Sequence, residues 1–132
     1  MTPRHFELRH LPGLVIASPE TFGGFWPLFD AESAITAFGL PQSVAQSVPA
    51  QTTMFIAASR ISTIGMIIFA LYGQGNFAAV DTVLAVMGLY VGVMDGYLCW
   101  REGLPRMALF RSASAFTVAA VGLAGCTAGG QV

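Results

Sequence analysis

The sequence contains no lysine, and only thirteen of its 132 residues are charged: six arginines and seven acids, for a net charge of −1. A soluble domain of this length normally carries about a quarter charged residues to keep its surface wetted, so the scarcity argues against a soluble fold. It also argues against nucleic acid as a partner, because phosphate binding needs a dense basic patch. Two cysteines, Cys99 and Cys126, show neither a CxxC nor a Cys/His spacing, which leaves no zinc signature and no disulfide framework. His5 and His10 are the only histidines. GxSxG, HExxH, Walker and dinucleotide-glycine patterns are all missing, as are aspartate-rich diphosphate boxes. These absences disfavour metal, redox and diphosphate-ionising chemistry, and we expect no cofactor.

What is abundant is apolar: 55% of residues are hydrophobic and the mean hydropathy is +0.66. The expected architecture is all-α, a four-helix transmembrane bundle formed by one membrane-embedded domain over residues 1–132. Long apolar runs predict helices at about 52–73, 78–100 and 107–126. The turn Gly73-Gln74-Gly75-Asn76 and the loop Trp100–Arg106 separate them. A first helix at about 10–27 is expected to be kinked or broken, since Pro12, Pro19 and Pro27 interrupt it. The short apolar run Leu11–Ala17 contains Pro12 and makes a poor signal peptide, so the N-terminus reads as retained. Asp30–Phe38 suits a short interfacial helix at about 30–38, closed by Gly39, and Gln42–Gln51 reads as a polar connection. The arginines do not settle the orientation. Arg4 and Arg9 precede the first segment while Arg101 and Arg106 lie between the last two.

Small residues recur at helical spacing in three of these helices. Gly88, Gly92 and Gly96 form one stripe; Ala58, Ser62 and Gly65 form another, and Ala115, Ala119 and Gly122 a third. Such stripes let helices approach closely in lipid, where the hydrophobic effect no longer drives them together.

Ionisable residues inside the apolar runs carry the most functional information, because a charge at a helix centre is costly in a bilayer. Arg60 lies about 20 Å along its helix from the Gly73 turn, and Asp95 about 25 Å along the next, at 1.5 Å per residue. Arg111 follows the 100–106 loop by as many residues as Asp95 precedes it. An Arg60–Asp95–Arg111 layer is therefore expected at one depth. Either it is a buried ion pair that fixes register, or it is the polar, catalytic end of an apolar cavity that polarises a substrate carbonyl or carboxylate. Tyr90, Tyr97, Met66 and Met94 are candidate substrate-binding residues in the second case. Asp81 reads as an interfacial residue that complements the helix dipole, and Glu20 marks either a cavity acid or a break at the water interface.

Pro27, the run Phe38-Gly39-Leu40-Pro41, Ser59-Arg60 opening an apolar helix with Gly65, and Asp95 late in the next helix resemble a family of small, mostly fungal integral membrane proteins. That family has about four helices and a common domain of unassigned function. The resemblance covers approximately Leu11 to Phe116. The chain also resembles the norbornene-forming Diels–Alderases of sordarin-type diterpenoid pathways. These resemblances imply a membrane-embedded, cofactor-free cyclase or isomerase of fungal specialised metabolism, residing in the endoplasmic reticulum. Its substrate would be a lipophilic terpenoid or polyketide, and its reaction a [4+2] cycloaddition. The alternatives are a small proton-coupled transporter using Glu20 or Asp95, and a non-catalytic membrane adaptor for biosynthetic enzymes. Membrane lipid and a lipophilic small molecule are the expected partners, with a homo-oligomer or association with biosynthetic enzymes as further options.

Overall fold

A computed structural model describes residues 6–130, and within them the fold is all-α, without strands. A 3₁₀ turn at Leu8–His10 leads into α1 (Leu11–Gly23), followed by α2 (Trp26–Phe29), α3 (Ala31–Phe38) and α4 (Gln42–Ala45). Three longer helices follow: α5 (Val48–Gly73), α6 (Phe77–Arg101) and α7 (Pro105–Leu123).

The expected break in the first segment is present, but glycines rather than prolines make it. Pro19 sits inside α1, and the helix stops at Gly23. The chain restarts at α2 with Pro27 in the first turn, where a missing N–H leaves nothing unpaired. Asp30 then caps α3, its Oδ1 accepting from the Ser33 amide at 2.9 Å. Gly39, at φ +110°, closes that helix in the left-handed conformation just before Pro41. The expected polar connection at 42–51 is instead helical over much of its length, as α4 and the first turn of α5. Asn76 caps α6 by accepting from the Ala79 amide at 3.3 Å. Gly103, at φ +75°, turns the chain into α7 with Pro105 at its start.

Of the four expected spanning helices, two have the length and apolar composition of a span. Among the described residues, α5 and α6, with 26 and 25 residues, are the helices long and apolar enough to cross a membrane. At 1.5 Å per residue they reach well beyond the hydrocarbon core of about 30 Å. With 13 residues, α1 extends only about 20 Å and is too short to cross alone. In α7, Arg106, Arg111, Ser112, Ser114 and Thr117 dilute the apolar run. Within the apolar windows of α5 and α6, 17% and 39% of residues are buried, whereas the core helix of a soluble protein would bury most of them. On α6 the outward stripe Val86, Tyr90, Val93, Tyr97, Trp100 is exposed throughout. This is the distribution that lipid contact requires, and it supports membrane association.

The described chain forms two compact units, one of residues 6–16 with 68–130 and the other of residues 17–67. In the first unit α6 and α7 pack antiparallel along the expected small-residue stripes. A Cβ on Gly88 would collide with the Ala119 backbone, one on Gly92 with the Phe116 ring, and one on Gly96 with Ser112 Oγ. Ser112 Oγ donates to the Gly92 carbonyl at 2.8 Å across the seam. In the second unit the later part of α1 packs on α5. A Cβ on Gly65 would sit 2.7 Å from the Thr21 amide nitrogen, and Ser62 Oγ donates to the Thr21 carbonyl at 2.8 Å.

Candidate functional site

The second unit holds an open-sided cavity of about 140 Å³ lined by Gly24, Phe25, Leu28, Phe55, Ser59, Ser62, Thr63 and Met66, of which Leu28, Phe55, Ser59, Thr63 and Met66 are exposed. Five of these residues come from α5 at spacings of four, three, one and three, which places them on one face of the helix. The opposite wall is the Gly24-Phe25 turn and α2. It can approach because Gly24 has no Cβ, which would collide with Ser62 Oγ and lie 2.6 Å from the Ala58 carbonyl. The lining is apolar and aromatic apart from three hydroxyls, and none of the eight residues is ionisable. Each hydroxyl spends its proton on a backbone carbonyl. Ser59 Oγ donates to Ile56 at 2.8 Å, Ser62 Oγ to Thr21 at 2.8 Å, and Thr63 Oγ1 to Ser59 at 2.9 Å.

Of the expected binding residues, Met66 lines this cavity. Arg60, beside Ser59 in sequence, is exposed, and its Nη1 donates to the Ile56 carbonyl of its own helix at 3.2 Å. Tyr90, Tyr97 and Met94 are exposed on α6.

Asp95 and Arg111 lie in the first unit, and the structure brings them together: Arg111 Nε donates to Asp95 Oδ2 at 2.8 Å, with both side chains mostly buried. Arg60 belongs to the other unit. The Asp95–Arg111 pair sits one residue from the Gly96/Ser112 contact of the α6–α7 seam. Removing one partner of such a pair strands the other charge in an apolar setting, whereas removing both relieves it. Asp95→Leu alone should therefore lower the midpoint of thermal unfolding in detergent more than the Asp95→Leu/Arg111→Leu double variant does. A double variant less stable than the single would show that the pair itself is a net source of stability.

A second buried polar cluster escaped the sequence reading. Asp81, near the start of α6, is 2% exposed, and its two carboxylate oxygens accept from the Thr127 and Ala128 amides at 3.0 and 2.8 Å. These bonds draw the segment after α7 back along α6, with Thr127 beneath Gly13 and Gly129 against the Arg9 guanidinium. Beside the start of α6, His10 is buried against Phe77 and Tyr72. Its Nδ1 accepts from the Glu7 amide at 3.3 Å and lies 3.1 Å from the Tyr72 hydroxyl. This arrangement puts the ring proton on Nε2, which, like Thr127 Oγ1, has no hydrogen-bond partner among the described residues. A bond from Arg9 holds the Glu7 carboxyl below the usual carboxylate range. That exposed contact contributes above the ordinary carboxylate pKa and is lost as pH falls through the lowered value. Among the described residues no group of three histidine, cysteine or acidic side chains is placed to hold a metal ion.

The family model described as "Domain of unknown function (DUF4267)" matches residues 18–125, most of the chain. The chain belongs to the DUF4267 family. The matched range of this DUF4267 protein contains all eight cavity-lining residues together with Asp81, Asp95 and Arg111. His10, Thr127 and Ala128 fall outside that range. No curated protein and no solved structure matches the chain.

Proposed function

We propose that the protein is a membrane-embedded, cofactor-free cyclase or isomerase that holds the reacting part of a lipophilic small molecule in the cavity between α2 and α5. The observation that carries this reading is the cavity lining itself: aromatic and aliphatic walls, three hydroxyls and no ionisable side chain. Apolar pockets with a few placed polar groups are the usual form of small-molecule sites. Such walls suit a reaction that moves neither protons nor electrons to the protein. A [4+2] cycloaddition is one: two σ-bonds form as three π-bonds become one, and the catalyst needs only to hold the reactive conformer and keep water away. A cavity of about 140 Å³ is close to the size that admits a single benzene ring. It would therefore take the reacting end of a terpenoid or polyketide while the remainder lies in the bilayer. Specialised metabolism and the endoplasmic reticulum enter the proposal through the sequence resemblance. Proton-coupled transport through Asp95 is less well supported, because that carboxylate is engaged by Arg111.

The test is conversion of lipophilic dienes by microsomes containing the protein, against microsomes lacking it. The expected result is faster cyclisation, reduced at least about tenfold by Met66→Trp, which fills the cavity from an exposed position on α5 without touching the α1–α5 contact. Equal rates in both microsome preparations would rule the proposal out.

A further inference from the structure

We infer that the α2–α5 cavity selects a lipophilic alcohol over the corresponding ether, aldehyde or hydrocarbon. This inference rests on the cavity being a small-molecule site and names the chemistry it would recognise.

A hydroxyl side chain has one proton to donate and two lone pairs to accept with. All three hydroxyls in the lining have committed that proton to helix carbonyls: Ser59 to Ile56, Ser62 to Thr21 and Thr63 to Ser59. What they still offer is acceptor oxygen. The other lining side chains, Phe25, Leu28, Phe55 and Met66, bring no N–H or O–H group, and Arg60 is not among the residues that line the cavity. A ligand carbonyl or ether oxygen could bond here only by displacing an existing bond, an exchange that leaves the hydrogen-bond count unchanged. A ligand O–H adds a bond while removing none. The apolar walls favour hydrocarbon beside that hydroxyl, and the volume accommodates about one ring of it. The cavity therefore reads a single feature, a hydroxyl on a greasy frame.

One experiment separates failure of this inference from failure of the cavity reading. 4-Fluorophenylalanine is placed at Phe55, and the full-length protein in detergent micelles is titrated with benzyl alcohol, benzyl methyl ether, benzaldehyde and toluene. Fluorine chemical shifts report occupancy. The alcohol is expected to bind about fivefold more tightly than the ether and the aldehyde, the worth of one net hydrogen bond. Ser59→Ala combined with Thr63→Val, which leaves the Ser62–Thr21 bond of the fold in place, should reduce that preference to about twofold or less. Equal affinities for the four compounds would overturn the alcohol preference and leave the cavity as a site. A preference that survives in the double variant would overturn it too, because the selectivity would then come from partitioning into the micelle. No shift at Phe55 with any compound would overturn both.

Discussion

Replacing Asp81 by Ala should release the segment after α7 and cost about 2–4 kcal/mol of stability. The figure follows from two charge-assisted hydrogen bonds, each worth about 1.5–3 kcal/mol, offset by no longer burying a carboxylate. The Thr127 amide would be left buried without an acceptor, since that residue is fully enclosed. Asp81→Asn should fall between wild type and Ala, because its amide retains one acceptor oxygen but turns an N–H₂ group toward the other backbone donor. Amide hydrogen exchange in micelles is the direct readout. Thr127 and Ala128 should lose protection by a factor of ten or more, while amides in the middle of α5 stay protected. Unchanged protection at Thr127 and Ala128 in Asp81→Ala would show that the carboxylate does not hold the segment.

Gly88→Ile should open the α6–α7 seam. At this position a Cβ lies 2.5 Å from the Ala115 carbonyl oxygen and 2.8 Å from the Ala119 Cα. Backbone cannot rotate aside as a side chain can, so the expected cost lies at or above the upper end of the usual 1–3 kcal/mol for overpacking. The displaced seam would also strain the Ser112–Gly92 hydrogen bond and the Asp95–Arg111 ion pair farther along it. Cys99, buried on α6 at 1% exposure, is a natural reporter. Its labelling by a membrane-permeant maleimide should accelerate at least about tenfold, since 1.4 kcal/mol corresponds to a factor of ten. Gly88→Ala should give a smaller acceleration in the same direction if the larger side chain prevents folding. Val86→Ile adds bulk to the exposed stripe of α6 and should leave labelling unchanged. A Gly88→Ile protein with Cys99 as protected as wild type would mean that the two helices do not meet at Gly88.

These two sites differ in how readable they were. The glycine seam is written locally: Gly88, Gly92 and Gly96 recur at a fixed helical interval, as do Ala115, Ala119 and Gly122, and each set falls on one face whatever the rest of the chain does. Asp81 carries no such signal. Its partners are two backbone amides 46 and 47 residues away, and a backbone amide has no residue type to recognise. A carboxylate enclosed by the chain and one left open look alike in sequence. His10 was hidden for the same reason, since its burial comes from Tyr72 and Phe77 on distant elements.

The Asp95–Arg111 pair was legible because one short loop places both residues at the same distance from it, and an antiparallel hairpin does the rest. The cavity was not. The stripe Phe55, Ser59, Ser62, Met66 was visible only as another mixed face of an apolar helix. It becomes a wall when the Gly24-Phe25 turn and α2 fold back on it from roughly thirty to forty residues earlier. The length of the first segment was hidden for a different reason. Proline positions suggested where the first segment would be interrupted, but Gly23 and Gly24 set its length, and 13 residues do not reach across a bilayer.

The sequence by itself determined the helical fold class, the approximate helix positions, the glycine seam and the Asp95–Arg111 match, because each depends on periodicity or on distance from a nearby turn. Tertiary structure alone decided which carboxylate is buried, what binds the segment after α7, and which face of α5 borders the cavity. Those depend on segments far apart in the chain meeting in one place, and on backbone groups and voids that no residue type announces. The thirteen charges pointed to Arg60, Asp95 and Arg111, yet the cavity is lined by aromatic and aliphatic side chains and by three hydroxyls whose protons are already committed.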